Sequence, residues 1–134
     1  MTDVTSVTET NRATVAAFYE AGIRGDLEAL LAMMHDDVVV HEPSFLPYGG
    51  DYVGKGAFVD MFSVVVKYLD VSGLKVQYLV ADGDRVLGII RIPDLNTGQE
   101  TLLAEESTLR DGKIASVRVF YFDAQSMIRQ ALGQ

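Results

Sequence analysis

The sequence predicts an α+β domain, with helices first and an antiparallel meander afterwards. Three observations lead there. Apolar residues recur at helical spacing in three stretches of the first half. Two Asp-Gly pairs in the second half each sit between apolar runs, the pattern of a hairpin turn. No repeat, linker or low-complexity segment interrupts the chain, so the segregated helices and strands are expected to share one core. With 134 residues, 49% of them hydrophobic, residues 1–134 suffice for one domain and leave no room for a second.

The opening "MTDVTSVTET" has neither a basic start nor an apolar core, so residues 1–7 read as a frayed start without a targeting signal. Ser6 to Glu9 fit a capping box, and Val15, Phe18, Tyr19 and Ile23 then follow at helical spacing until Gly22 and Gly25 suggest a stop. Asp26 is placed to cap a second helix, because Leu27, Leu30, Leu31 and Met34 fall at i, i+3, i+4 and i+7. His35 to Asp37 break that pattern, which sets His35 at a helix C-terminus, where the dipole favours a cation. A strand from Val38 to Glu42 ends at Pro43. A third helix is expected from about Gly56 to Leu69, with Phe58, Met61, Phe62, Val65 and Leu69 in one stripe, although Val64 to Val66 also suit a strand.

The second half carries four strands. "LKVQYLVADGDRVLGIIRI" turns at Asp82-Gly83, "ETLLAEESTLRDGKIASVRVFYF" turns at Asp111-Gly112, and Pro93 to Gly98 join the two pairs. Asp123 then caps a short closing helix with Met127, Ile128 and Leu132 on its apolar side and Gly133 just past its end. Val117 to Phe122 are apolar on both alternating faces, whereas a one-sided sheet is polar outside, so a homodimer packed through the outer face is expected.

Composition narrows the function. A formal charge of −8 works against binding a phosphate backbone, so nucleic acid is not an expected partner. The absence of cysteine excludes disulfides, thiolate zinc sites and a cysteine nucleophile, and fits a reducing cytoplasm. No apolar run approaches the ~20 residues needed to span a bilayer, so the chain is read as soluble and cytoplasmic. Two histidines six residues apart, with no second cluster, do not make a metal site.

The candidate site starts from strand alternation. Val38, Val40 and Glu42 share one face, and Val39 and His41 the other. A buried, unpaired carboxylate is costly and responds by raising its pKa, so Glu42 is either a general base or a satisfied structural acid. Arg91 shares a face with Leu87 and Ile89, and either snorkels to the rim or meets a carboxylate. Glu105 shares a face with Leu103, Ser107 and Leu109. Glu42, Arg91, Glu105 and Tyr121 form the expected pocket set, with Tyr121 more a wall than a catalyst and Tyr48 and Asp51 at the rim. His41 faces away from Glu42 unless Pro43 kinks the strand, and is either a pocket residue or a hydrogen-bonded histidine under a helix.

The segments "GDLEALLAMMHDDVVVHEP", "GGDYVGKGAFVDMF" and "RDGKIASVRVFYFD" resemble the SnoaL-like branch of the nuclear transport factor 2-like superfamily, over about Asn11 to Leu132. That group also holds ketosteroid isomerase, scytalone dehydratase and limonene epoxide hydrolase. The resemblance implies a cone, in which a strongly bent sheet wraps around three N-terminal helices with a pocket between them, often in a dimer packed through its sheet. The base of ketosteroid isomerase, a carboxylate just before a proline at the end of the first strand, falls on Glu42. Its protonated carboxylic acid falls at or near Glu105. Its first-helix tyrosine falls near Phe18, while Tyr19 lies about 100° further round the helix.

The reading that follows is a cofactor-independent acid/base enzyme of the isomerase, cyclase or lyase/dehydratase type, acting on a small hydrophobic cyclic or aromatic compound. Glu42 would remove a proton, Arg91 or protonated Glu105 would steady the oxyanion, and Phe18, Tyr19, His41, Tyr48, Asp51, Phe62 and Tyr121 would contact substrate. The alternatives are a non-catalytic binding protein with the same pocket and a scaffold whose cone only mediates dimerisation.

Overall fold

The computed structural model describes residues 4–134. Helix α1 (Val4–Arg24) begins upstream of the expected cap, so Ser6 lies inside the helix and residues 4–7 are helical rather than frayed; residues 1–3 lie outside the described residues. Tertiary bonds account for the extension. Thr8 Oγ1 accepts from the Gly83 N–H at 2.8 Å, and Asn11 Nδ2 donates to the Gly83 carbonyl at 2.8 Å, fastening the first turns to a hairpin. The helix ends as the glycines suggest. Gly25, at φ +70°, donates to the Gly22 carbonyl and Asp26 N–H to the Ala21 carbonyl, a Schellman closure.

Helix α2 (Leu27–Ala32) is capped by Asp26, whose Oδ1 accepts from Ala29 N–H at 3.0 Å. Met34, expected to complete its stripe, instead opens strand β1 (Met34–Glu42), so His35 sits on a strand and not at a helix C-terminus. Its Nε2 donates to the Arg110 carbonyl. Strand β2 (Gly50–Val53) pairs back on β1, and helix α3 (Lys55–Val65) follows, settling the Val64-Val65 ambiguity as helix. A 3₁₀ turn at Val71–Gly73 leads into strands β3 (Lys75–Asp82), β4 (Arg85–Pro93), β5 (Glu100–Arg110) and β6 (Lys113–Tyr121). Helix α4 (Gln125–Ala131) closes the chain. Asp123 Oδ1 accepts from Gln125 N–H at 2.9 Å, Met127 is fully buried, and Leu132, beyond the helix end, is 68% exposed instead of completing the apolar side.

The six strands form one sheet in the order β2-β1-β6-β5-β4-β3. The meander β3 to β6 is antiparallel as expected, but β1 runs parallel to β6, so the sheet is mixed. The Asp111-Gly112 turn has φ of 53° and 76°, positive at both central residues, the backbone that a tight hairpin requires. Register shifts in β1, β3 and at Thr108/Leu109 locally increase twist and bend the sheet. Helices cover one face, where Val15, Leu30 and Phe58 pack with Val40, Ile90 and Leu103 in a single core. On the other face Tyr78, Val80 and Phe120 stay exposed, and Phe122 just beyond β6 is 85% exposed.

Candidate active site

The cavity lies between the helices and the inner face of the sheet. Glu42 is the last residue of β1 and Tyr121 the last of β6; because these strands are parallel, both ends arrive on the same side of the sheet. Glu105 comes from the middle of β5, directly opposite Gly88 on β4. Phe18 and Tyr19 reach in from α1, and Phe58, Met61 and Phe62 from α3. The cavity is partly open, holds about 100 Å³ and is mainly apolar. A cavity of roughly 150 Å³ admits benzene, so a single ring would require this one to widen.

The polar groups inside are two carboxyls and two phenols. Tyr19 Oη donates to Glu105 Oε1 at 2.9 Å. The Tyr121 hydroxyl shares a 2.6 Å hydrogen bond with the hydroxyl of Tyr48, and Tyr52 Oη donates to the Tyr48 carbonyl at 2.9 Å. Glu42 Oε2 is buried and has no hydrogen-bond partner. Burial, reinforced by the charge of Glu105, pushes the Glu42 carboxyl up to about 8. Burial also raises Glu105, with the Tyr19 hydrogen bond opposing it. Tyr19 and Tyr121 are pushed well above the usual phenol value, chiefly by burial, and so remain hydrogen-bond donors throughout the working pH range. Two carboxyls in one apolar pocket are coupled, and the charge on Glu105 makes ionisation of Glu42 harder.

Tyr48 reaches this site through the Pro43–Gly49 segment. A Cβ at Gly49 would stand 2.3 Å from the Pro43 carbonyl oxygen, so only glycine closes the loop this tightly. Tyr48 is 2% exposed and supports Tyr121 from behind; it is not itself in the cavity wall.

Of the residues expected from sequence, Glu42, Glu105, Tyr121, Phe18, Tyr19 and Phe62 converge on the cavity. Besides Tyr48, three others do not. Arg91 pairs in register with Leu102 and Lys75 on the outer face, because the buried face of β4 is Val86, Gly88, Ile90 and Ile92. Both faces of this strand are apolar, and sequence parity alone pointed to the wrong one. His41 and Asp51 face each other across the β1–β2 pair with Nδ1 and Oδ1 2.7 Å apart, on the opposite face from Glu42. They line an open groove with Arg118 and Phe120 that Glu42 and Tyr121 also border. Phe58, Met61, Ile92 and Leu103 are cavity-wall residues that the sequence reading placed only in stripes or runs; Phe58, stacked on Phe62 with ring centroids 5.9 Å apart, was legible as a helix face but not as a wall. Among the described residues no group of three or more His, Asp or Glu converges as a metal site would need. No described helix is long and apolar enough to cross a membrane.

A curved mixed sheet folded over helices is the fold of the nuclear transport factor 2-like superfamily. Within it, the chain belongs to the SnoaL-like domain family, whose pattern matches residues 15–117. Three solved structures illustrate the likeness. Bal32a, from a soil-derived mobile gene cassette, is 21% identical over 89% of this chain and 94% of its own, with a TM-score of 0.79. A nuclear transport factor 2-like protein of Burkholderia xenovorans LB400 is 25% identical over 91% of this chain and 95% of its own, at a TM-score of 0.74. TerC, co-crystallised with polyporic acid, is 23% identical over 90% of this chain and 98% of its own, at 0.76. The fold family includes isomerases and cyclases. No curated protein matches the chain by sequence.

Proposed function

We propose that this chain is a cofactor-independent acid/base enzyme of the isomerase, cyclase or lyase type, acting on a small hydrophobic cyclic or aromatic compound held in the cavity. The observation that carries the proposal is Glu42: a carboxyl facing an apolar cavity, with Oε2 unpartnered and its pKa held near the working pH. A carboxyl so placed for structural reasons alone would be expected to have a partner. The cavity wall carries no Lys, Arg or His, which favours an uncharged ring with a carbonyl or phenol oxygen. TerC, of the same fold, was co-crystallised with an organic acid.

The two carboxyls share one proton that rests mainly on Glu42, which the charge of Glu105 holds up, and the reactive form is the arrangement in which that proton has passed to Glu105 and Glu42 is ionised. Glu42 removes a proton from carbon next to the carbonyl or from a phenol. The negative charge that develops on the substrate oxygen accepts a hydrogen bond from protonated Glu105, which in turn accepts from Tyr19. Arg91, on the outer face, has no part in this. Return of the proton from Glu42 to another atom gives isomerisation; loss of a leaving group gives elimination; attack on a second carbonyl gives cyclisation.

A panel of cyclic ketones, phenols and epoxides tests the reading by thermal shift and turnover together. Ligands of the native state raise Tm by mass action. Glu42→Gln is expected to keep the thermal shift and lose turnover by a factor of roughly 100 or more. Undiminished turnover in that variant would overturn the role of Glu42, and binding with no turnover from pH 6 to 9 would make the chain a binding protein.

A further inference from the structure

We infer that Gly88 is a positioning residue of the site: the side chain it lacks is the slot that seats the Tyr19 hydroxyl against Glu105. Gly88 lies in the middle of β4, where glycine weakens a strand and packs nothing. It does not have the positive φ that requires glycine in a turn. Its reason is close approach. A Cβ built there would lie 2.4 Å from Tyr19 Oη and 3.0 Å from both Cε2 and Cζ of the ring, well inside contact distance. Gly88 is also the direct cross-strand partner of Glu105, so the ring that lies over it is carried to the carboxyl that it bonds at 2.9 Å.

The tyrosine is packed on its other sides and can yield only toward the cavity that it lines. Its residue is 4% exposed, and its ring meets Phe18 edge-on at 6.4 Å between centroids. An alanine at position 88 therefore pushes the phenol away from the strand and weakens its hydrogen bond to Glu105. The same contact explains why the tyrosine works from position 19 rather than 18: Phe18 lines the cavity without bonding Glu105, while Tyr19 points at the strand that has a gap. The catalytic meaning of the slot rests on the acid/base reading proposed above, but its geometry does not.

Three variants test it without any substrate: Gly88→Ala, Tyr19→Phe and the two combined. Gly88→Ala alone is expected to lower Tm by about 5 °C or more. In the Tyr19→Phe background the 2.4 Å clash is gone, the two 3.0 Å ring contacts relax by a few tenths of an ångström, and alanine suits a strand better than glycine, so the same substitution is expected to lower Tm by clearly less, about 2 °C. A second readout follows Glu105 itself by NMR of ¹³C-labelled glutamate, assigned by its loss in Glu105→Gln. The Tyr19 hydrogen bond holds the Glu105 titration down, so Gly88→Ala and Tyr19→Phe should each move its midpoint to higher pH. Equal Tm losses from Gly88→Ala in both backgrounds, a double variant no more stable than Gly88→Ala alone, or an unmoved Glu105 titration would each overturn the inference. Failure of the panel to yield turnover would bear on the acid/base reading and leave these outcomes unchanged.

Discussion

Replacing Glu42 by Gln should abolish much of the protein's loss of stability toward alkaline pH. The folded chain holds the Glu42 proton to about pH 8, whereas an ordinary glutamate releases it near 4.5. The native state therefore binds more protons than the unfolded state between those values. The sign follows from linkage: the contribution is complete below about pH 4.5, falls through the interval, and is gone above about 8. At about 1.36 kcal/mol per unit, the full interval corresponds to about 5 kcal/mol. Because the cavity opens to solvent, water entering beside the carboxylate lowers this, and a measured loss of about 2–5 kcal/mol is expected. The substituted glutamine side chain has no proton to lose. Urea unfolding at half-unit steps from pH 5 to 9, for the native chain and Glu42→Gln, gives the two curves directly. They should converge in their stability difference near pH 5 and separate progressively above it in favour of the glutamine variant, with Glu105 leaving a residual slope in both. Parallel curves over the whole range would show that Glu42 is not desolvated, and would remove the physical basis for its proposed role.

With a turned-over substrate, kcat/KM should rise with pH through a limb near 8, because Glu42 acts as a base only when ionised, and a falling limb there would refute that role. Glu105→Gln removes a charge that holds Glu42 up, so that limb should move to lower pH. Tyr48→Phe leaves the Tyr121 hydroxyl without its 2.6 Å partner, and denaturant unfolding should show a loss of about 1–2 kcal/mol. Arg91→Ala, on the outer face, should leave ligand thermal shifts and turnover unchanged. We also propose that the exposed outer face, with Tyr78, Val80, Phe120 and Phe122, joins two copies; sedimentation at micromolar concentration should give a dimer, and Phe120→Glu should give a monomer.

The sequence by itself determined most of the element order, the Asp111-Gly112 turn and the parity of the strands whose two faces differ; it did not show strand β2, which read as a loop, and the first hairpin turns at Gly83-Asp84, one residue later than expected. Asp111-Gly112 closes a hairpin because positive φ at both positions suits few other pairs, and the Gly25 closure follows from the same cause. Glu42 and Glu105 were placed inward correctly because alternation is a property of the strand alone, read against Val38 and Val40 or Leu103 and Leu109. Tertiary structure decided the rest. Alternation on β4 is apolar on both faces, so only its pairing with β5 shows that Gly88, and not Arg91, stands opposite Glu105. The parallel union of β1 and β6 joins segments more than seventy residues apart, a contact that no local pattern encodes, and it brings Glu42 and Tyr121 to one end of the sheet. The choice of Tyr19 over its neighbour, too, depends on the absence of one Cβ on a distant strand, because a helix periodicity states which residues share a face and says nothing of the space they meet there.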